Sequence, residues 1–452
     1  SIQIAKWKEK VNLPILKNYT SKKNKKNKYA NFIFNENNIN SQKYQVDYID
    51  ENLLKDSSNY YIKNNYSPRF TLDLAQAYYS YDSYYGSQGM AMFLFSDILG
   101  DHRIGISTEM QIDFKESDYY FYYRYLKNKI NHQAMFSHQA YRTNVYSSSD
   151  YNSIGYTLNR NIGLNYMFFL PFSRFSRIEG GITFDHLIKE ISEIESSGNI
   201  TNLSYNSYNL LRPHLKYVWD NTRWFYLYPV SGNRTYFNYE IVPKSNFNDY
   251  IFETFTMDSR TYFELSFTSK ISFASRIYFG SSWGKNKRLF GLGGAPYIFS
   301  NDNSDMVNSN YEEALPYDDF YFMNNFIFPV RGFPMAHKYG SKALLMNYEL
   351  RLPFLMYYFP TIKYLGQLFG VFFIDTGVAW NDKFPQFNNK QNWGINQNSD
   401  LTDNIGWIMS YGFGPRFIFL NMAWKLDYAR QYDPIRGNSS NRNWYLTIGY
   451  DF

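Results

Sequence analysis

WIMSYGFGPRFIFLNMAWKLDY, residues 407–428, is the stretch that decides the fold. Trp407, Met409, Tyr411, Phe413, Phe417 and Phe419 fall on one side of an alternating pattern, and Ser410, Gly412, Gly414 and Arg416 on the other. After a tight turn at Leu420-Asn421 the alternation resumes, with Trp424, Leu426 and Tyr428 opposing Lys425 and Asp427. Successive side chains of a strand point to opposite faces, so this is a hairpin with one aromatic face and one small or charged face. The chain ends in the same way. Leu446, Ile448, Tyr450 and Phe452 share one face, and Thr447, Gly449 and Asp451 the other. Far upstream, Leu215, Tyr217 and Trp219 oppose His214, Lys216 and Val218.

Working outward, the sequence from Pro68 reads as strand, turn, strand to its last residue. The candidate strands, sixteen in all, lie at roughly 68–79, 87–99, 102–114, 118–127, 131–141, 152–170, 174–188, 207–219, 233–243, 252–268, 271–283, 341–353, 365–380, 405–419, 421–431 and 443–452. Alternation alone does not separate a soluble sandwich, whose apolar face is core, from a membrane barrel, whose apolar face meets lipid. The connections do. Short links such as Leu99-Gly100-Asp101, Lys127-Asn128-Lys129 and Leu170-Pro171-Phe172-Ser173 alternate with long polar ones at 189–206, 284–340, 381–404 and 432–442. Short periplasmic turns facing long outer loops are the pattern of outer-membrane barrels, whereas a sandwich has no reason to sort loop length by end. The expectation is an all-β membrane protein, a sixteen-stranded antiparallel transmembrane β-barrel. A long loop folds inward between strands eleven and twelve. An even strand count puts both barrel termini on one side of the membrane, here the periplasmic side.

Composition agrees. The 452 residues hold 46 Tyr, 40 Phe and 9 Trp, yet the mean hydropathy is −0.50. No stretch reaches the ~18–20 uninterrupted apolar residues of a spanning helix. An aromatic-rich chain that is polar on average suits strands with a single lipid-facing side. Zero Cys excludes disulfides and thiol chemistry. The net charge of +6 is too modest to imply a nucleic-acid partner, and the aromatics are spread over many strands rather than forming one stacking surface. Trp219, Trp224, Trp380, Trp424 and Trp444 lie near strand ends and suit membrane–water girdles.

Two domains are expected: a polar, basic linker at 1–66, periplasmic, and the outer-membrane barrel at 67–452. The linker contains Ser21-Lys22-Lys23-Asn24-Lys25-Lys26-Asn27-Lys28, a solvated run whose lysines could also meet anionic lipid headgroups. The chain begins at Ser1 with neither Met nor an apolar signal region, as a mature or truncated product would.

The longest insertion, about 284–340, holds Gly291-Leu292-Gly293-Gly294 and then Val330, Arg331, Gly332 and Phe333. Val-Arg-Gly-Phe in this place resembles the loop-six signature of the BamA/TamA-type outer-membrane assembly and translocation superfamily, the bacterial surface antigen family. Asn347-Tyr348-Glu349-Leu350-Arg351-Leu352-Pro353 resembles that family's twelfth strand with its inward Glu. Phe373-Ile374-Asp375-Thr376-Gly377 resembles the Phe-x-Asp-x-Gly of its thirteenth. The ending Ile448-Gly449-Tyr450-Asp451-Phe452 resembles the C-terminal insertion signal, here carried by Gly449, Tyr450 and Phe452. The resemblance covers about 68–452. Phe93-Leu94-Phe95-Ser96-Asp97-Ile98-Leu99-Gly100 is similar to a subgroup whose barrel follows a TolB-like propeller. The first 66 residues show no recognisable POTRA domain.

The residues themselves fit this picture. Asp375 shares parity with Phe373 and Gly377, and Glu349 with Asn347 and Arg351, so both carboxylates should point into the lumen. Arg331, folded back into the lumen, would meet both through its planar fork, and Gly332 would let the backbone approach closely. A half-solvated pair of this kind stabilises by about 1–3 kcal/mol. Pairing of the first and last strands closes a barrel, and Gly449 would weaken that seam.

Catalysis finds no support. His102, His132, His138, His186, His214 and His337 form no metal-binding spacing, and there is no Gly-x-Ser-x-Gly elbow. A Ser–His pair built across neighbouring strands, as in an outer-membrane lipase, is the one enzymatic alternative. The expectation is no enzyme, no cofactor, no metal and no catalytic residue. The resemblance implies insertion or translocation of proteins at the bacterial outer membrane. Its partners would be outer-membrane lipids, the assembly machinery that inserts the barrel itself, and unfolded protein substrates. Two alternatives stand beside it: a passive pore, and a membrane anchor for an N-terminal propeller or lipase domain absent from this chain.

Overall fold

The computed structural model describes residues 66–82, 86–110, 114–146, 153–194, 200–225, 228–266, 270–295, 297, 299–300, 325–353, 368–393, 405–419 and 422–449. All the described strands belong to one compact unit, Ser67–Phe452. The basic linker expected at 1–66 and the terminal residues Tyr450 and Phe452 lie outside the described residues, apart from Tyr66.

The strands in chain order are β1 (Phe70–Asp82), β2 (Gly86–Asp97), β3 (His102–Met110), β4 (Asp118–Tyr125), β5 (Asn131–Tyr146), β6 (Ser153–Pro171) and β7 (Ser176–Ile194). Next come β8 (Ile200–Asp220), β9 (Arg223–Phe225), β10 (Tyr228–Val242), β11 (Phe252–Glu264) and β12 (Ser272–Gly284). Within the long insertion lie β13 (Phe290–Leu292), β14 (Phe299–Ser300), β15 (Asn325–Ile327) and β16 (Lys338–Gly340). The series ends with β17 (Lys342–Leu352), β18 (Phe369–Trp380), β19 (Gly406–Phe419), β20 (Met422–Asp433) and β21 (Gly437–Ile448). No helix among the described residues is long and apolar enough to cross a membrane, which says nothing about strands.

One antiparallel sheet of eighteen strands runs through the unit, and β15, β13 and β16 form a separate sheet of three. Eighteen differs from the expected sixteen through two short members, β9 with three residues and β14 with two. Neighbours in sequence are neighbours in the sheet, except that β10 pairs with both β8 and β9 and the ladder passes directly from β12 to β17. Among the described residues no ladder joins β1 to β21, so the expected closing seam is not formed there. The far edge of β21 instead pairs with β14.

Two expected loops prove to be largely strand. The interval 189–206 is occupied by the end of β7 and the start of β8, paired from Glu190↔Tyr205 out to Ile194↔Ile200. The interval 432–442 contains only a three-residue turn between Asp433 and Gly437. Both segments are polar in sequence, yet their backbones pair. By contrast 381–393 is a true loop, ending in a 3-10 turn at Lys390–Asn392.

The distribution of side chains is the reverse of a soluble sheet. On β18 Phe372 and Ile374 are 53% and 42% exposed, while Phe373 and Asp375 between them are buried. On β19 Tyr411 and Phe413 are exposed, while Ser410 and Arg416 are buried. Leu426, Trp444 and Ile448 continue the exposed apolar face, and Asp427, Gln431 and Asp433 the buried polar one. In water each Å² of exposed apolar surface is unfavourable by ~25 cal/mol. Most expected girdle tryptophans follow the pattern. Trp219, Trp224 and Trp444 are exposed, but Trp380 is buried, packed edge-on at 5.0 Å against Phe384 of the next loop.

The buried side of the sheet is filled by the insertion. Phe290 and Leu292 of β13, Ile327 of β15, Val330 and Phe333 make a core with Tyr278, Ala343, Leu345, Ala379 and Ile408 from the large sheet. Gly377 makes room for this: a Cβ there would stand 3.1 Å from a Leu292 methyl.

Arginine placed at Ile374 or Phe413 should destabilise the chain in phospholipid bilayers by about 2–4 kcal/mol. Urea titration in vesicles would measure it, and a change within ~0.5 kcal/mol would mean that this face is in water.

Candidate functional site

The insertion turns back on the buried face through Val330-Arg331-Gly332-Phe333. Val330 bridges to Gly294, which explains why the upstream Gly-Leu-Gly-Gly run and this motif belong to one unit. Gly293 (φ +130) and Gly294 (φ +81) adopt conformations that residues with a Cβ rarely reach, and Pro334 O lies only 2.2 Å from where a Cβ on Gly293 would be.

From this turn Arg331 reaches the large sheet and meets carboxylates from three strands. Its Nε and Nη2 donate to Asp375 Oδ2 and Oδ1 at 2.7 and 2.9 Å, a bidentate pair, and its backbone N–H donates to Asp375 Oδ2 at 3.1 Å. Nη2 also donates to Glu349 Oε1 at 3.1 Å, and Nη1 lies 3.6 Å from Asp427 Oδ2. The guanidinium sits 3.5 Å from the centroid of the Phe373 ring. That ring is itself seated over Gly412, where any Cβ would fall 2.4 Å from it. Phe373 and Gly412 therefore form a floor beneath the charge.

The carboxylates are shared. Arg351 donates to Glu349 Oε2 through Nε and Nη2 at 3.1 and 2.8 Å. Arg416 donates to Asp427 Oδ1 at 2.7 Å, and Asn347 Nδ2 to Asp375 Oδ1 at 2.8 Å. Three guanidinium groups thus face three carboxylates, which balances the charge of the cluster.

Burial departs from the half-solvated pair expected. Arg331 is 3% exposed, Glu349 1%, and Arg351 and Asp375 0%. Burial alone would depress the Arg331 guanidinium, but Asp375, Asp427 and Glu349 outweigh it and hold the group charged, well above its ordinary range. A buried ion pair adds little net stability relative to an apolar substitute, but removing one partner strands the other. Its contribution is therefore to position the loop rather than to add stability.

Gly332 is held by its backbone. Its N–H donates to the Tyr445 hydroxyl at 3.0 Å, and its carbonyl accepts from Gln431 Nε2 at 2.6 Å and Asn443 Nδ2 at 3.3 Å. The φ of +94° suits glycine. Phe333 is buried beside His337, with rings 5.2 Å apart. Gly449 comes just after β21 with φ +136° and donates its N–H to Ala423 O.

The same loop is fastened at two more points. Arg276 of β12 pairs with Asp258 of β11 at 2.9 Å and donates to the Phe328 carbonyl. Arg288 donates to Glu240 of β10 at 3.0 Å and to Asn325 Oδ1 at 3.0 Å.

The sequence brought Arg331, Glu349 and Asp375 forward, and the structure brings them together. Missed were Asp427, Arg416, Tyr445, Gln431 and Asn443. Their signal was present in strand parity: Arg416 of β19, Asp427 and Gln431 of β20, and Asn443 and Tyr445 of β21 all lie on the polar side. Among the described residues no group of three or more His, Asp or Glu could hold a metal. His102, His132, His138 and His186 each share a hydrogen bond across to another segment, with Tyr123, Tyr166, Ser117 and Asn209 respectively.

No protein-family model matches the sequence, and no curated protein matches it. Among solved structures the chain is similar to BamA from Haemophilus ducreyi lacking POTRA domains 1–3. The TM-score is 0.57 at 12% identity, over 85% of this chain and 71% of that one. The fold is BamA-like. At this identity the likeness speaks to the fold alone.

Replacing Arg331 with Ala should destabilise the folded state by about 3–5 kcal/mol, because Asp375 and Glu349 would be left buried without their cation. Arg331→Lys should recover only part of this, since an ammonium cannot bridge two carboxylates as a fork does. Urea titration in vesicles separates the three forms, and equal stability of Arg and Ala would remove Arg331 from the brace. Gly332→Ala should cost about 1–2 kcal/mol through its positive φ, read in the same titration.

Proposed function

We propose that the chain is an outer-membrane β-barrel of the BamA type, acting in insertion or translocation of proteins at the bacterial outer membrane. The observation that carries this reading is the Val330–Phe333 turn, locked by Arg331 onto Glu349 and Asp375 behind a sheet whose other face is apolar. In this reading the sixteen long strands surround a lumen, the exposed aromatic face meets lipid, and the insertion fills the lumen as a brace. Both barrel termini lie on the periplasmic side, and the seam would fall between β1 and β21, which no ladder joins among the described residues. The chain carries out no chemistry of its own. It would work by locally thinning the bilayer and opening its seam, with unfolded membrane proteins as substrates and the cell's assembly machinery inserting the barrel itself.

A lumen filled by buried side chains distinguishes this reading from an open pore. Purified protein in a planar bilayer should give small, flickering currents, and Arg331→Ala should give larger ones; a large steady conductance from the unaltered chain would favour the passive pore. The insertase reading is tested in vesicles by the folding rate of a urea-denatured small outer-membrane barrel. Vesicles carrying this protein should speed that folding several-fold over empty ones. Equal rates, with the protein shown to be folded by its heat-dependent gel mobility, would leave an anchor for another domain as the better account.

A further inference from the structure

At Tyr445 and Leu446 the outer edge of β21 is occupied from within the chain. Phe299 and Ser300 of the insertion lie antiparallel beside it, with Phe299 opposite Leu446 and Ser300 opposite Tyr445. The two residues obey the two-faced rule of the sheet they join. Phe299 is 61% exposed and continues the apolar outer face of Trp444 and Ile448. Ser300 stands opposite Tyr445, which is buried, so the small polar residue lies on the polar side. The Tyr297 ring packs 5.7 Å from that of Tyr445. Tyr445 is also the residue whose hydroxyl accepts from Gly332, so a single insertion grips one strand from its buried face and from its edge.

An unpaired edge presents backbone donors and acceptors that template another strand, and in a membrane those groups are costly to leave unmet. We propose that Phe299 and Ser300, with the Tyr297 ring beside them, form an intramolecular strand latch. It occupies the outer edge of β21 and keeps a second strand, β1 included, from pairing there. The latch rests on the membrane-barrel reading of the chain. The pairing among the described residues, Phe299 and Ser300, has few backbone hydrogen bonds to break, whereas a full-length ladder would have many.

The chain has no Cys, so introduced pairs can be read without background. Residues directly opposed in an antiparallel ladder have Cα atoms roughly 4.5–5.5 Å apart, which a disulfide spans. Phe299→Cys with Leu446→Cys, in outer-membrane vesicles under mild oxidant, should form an internal disulfide in most molecules. Phe299→Cys with Trp444→Cys, two residues off register, should give several-fold less. Leu446→Cys combined with Leu72→Cys or Leu74→Cys in β1 should form little. Adding Phe299→Pro, which removes a backbone donor, should raise that β1 crosslink several-fold. Heat-dependent gel mobility shows that each variant is folded. A folded chain in which the β1 pairs crosslink and the 299/446 pair does not would overturn the latch while leaving the barrel reading intact. An efficient 299/446 crosslink in a chain that fails to fold client barrels would support the latch and count against the insertase reading alone.

Discussion

A guanidinium buried to 3% exposure sets the terms for everything around it. Arg331 can lie there only if carboxylates reach it from several directions, and Glu349, Asp375 and Asp427 do so from β17, β18 and β20. Those carboxylates must then sit on the buried face of the sheet, together with Arg351 and Arg416 to balance them. A sheet that keeps its charges on the buried side leaves Phe372, Ile374, Tyr411 and Phe413 outside, and an outside of that composition is at home in lipid rather than water. The charge on one loop residue and the apolar surface of the whole sheet are thus two consequences of one arrangement.

The described parts of the insertion are held to the large sheet at several points. Its start is tied at Arg288, its return at Phe328 through Arg276, and its turn at Arg331 and Gly332. These contacts reach β10, β12, β17, β18, β20 and β21, so the loop bridges strands that are not neighbours in the sheet. Backbone contacts dominate at Gly332, where Tyr445, Gln431 and Asn443 bond main-chain atoms. The turn's conformation is therefore fixed along with its side chain. The edge pairing of Phe299 and Ser300 adds a tie to the last strand.

Much of this was legible in the sequence, for a reason that can be located. Period-two alternation is written locally, so the strands from β17 to β21 and the inward placing of Glu349 and Asp375 could be read directly. Motif order added that Arg331 belongs with them. What could not be read depends on contacts distant in sequence. The 189–206 and 432–442 intervals look like loops because they are rich in polar residues and lack a clear alternation, yet their backbones pair. Trp380 has the composition of a girdle residue but is covered by Phe384, whose position depends on how the next loop folds. The depth of burial around Arg331 depends on the inner sheet of β13, β15 and β16, whose short strands carry no alternation to recognise. The pairing of β14 with β21 joins residues nearly 150 positions apart and leaves no local trace.

The central claim is that the sheet is turned with its apolar face toward lipid and its charges enclosed. Spin labels on single cysteines at Tyr411 and Phe413, with the protein in phospholipid vesicles, test it directly. The account predicts that collisions with lipid-soluble oxygen are frequent at both sites and collisions with a water-soluble nickel chelate rare. Ready access of the nickel chelate to these outward positions would contradict it.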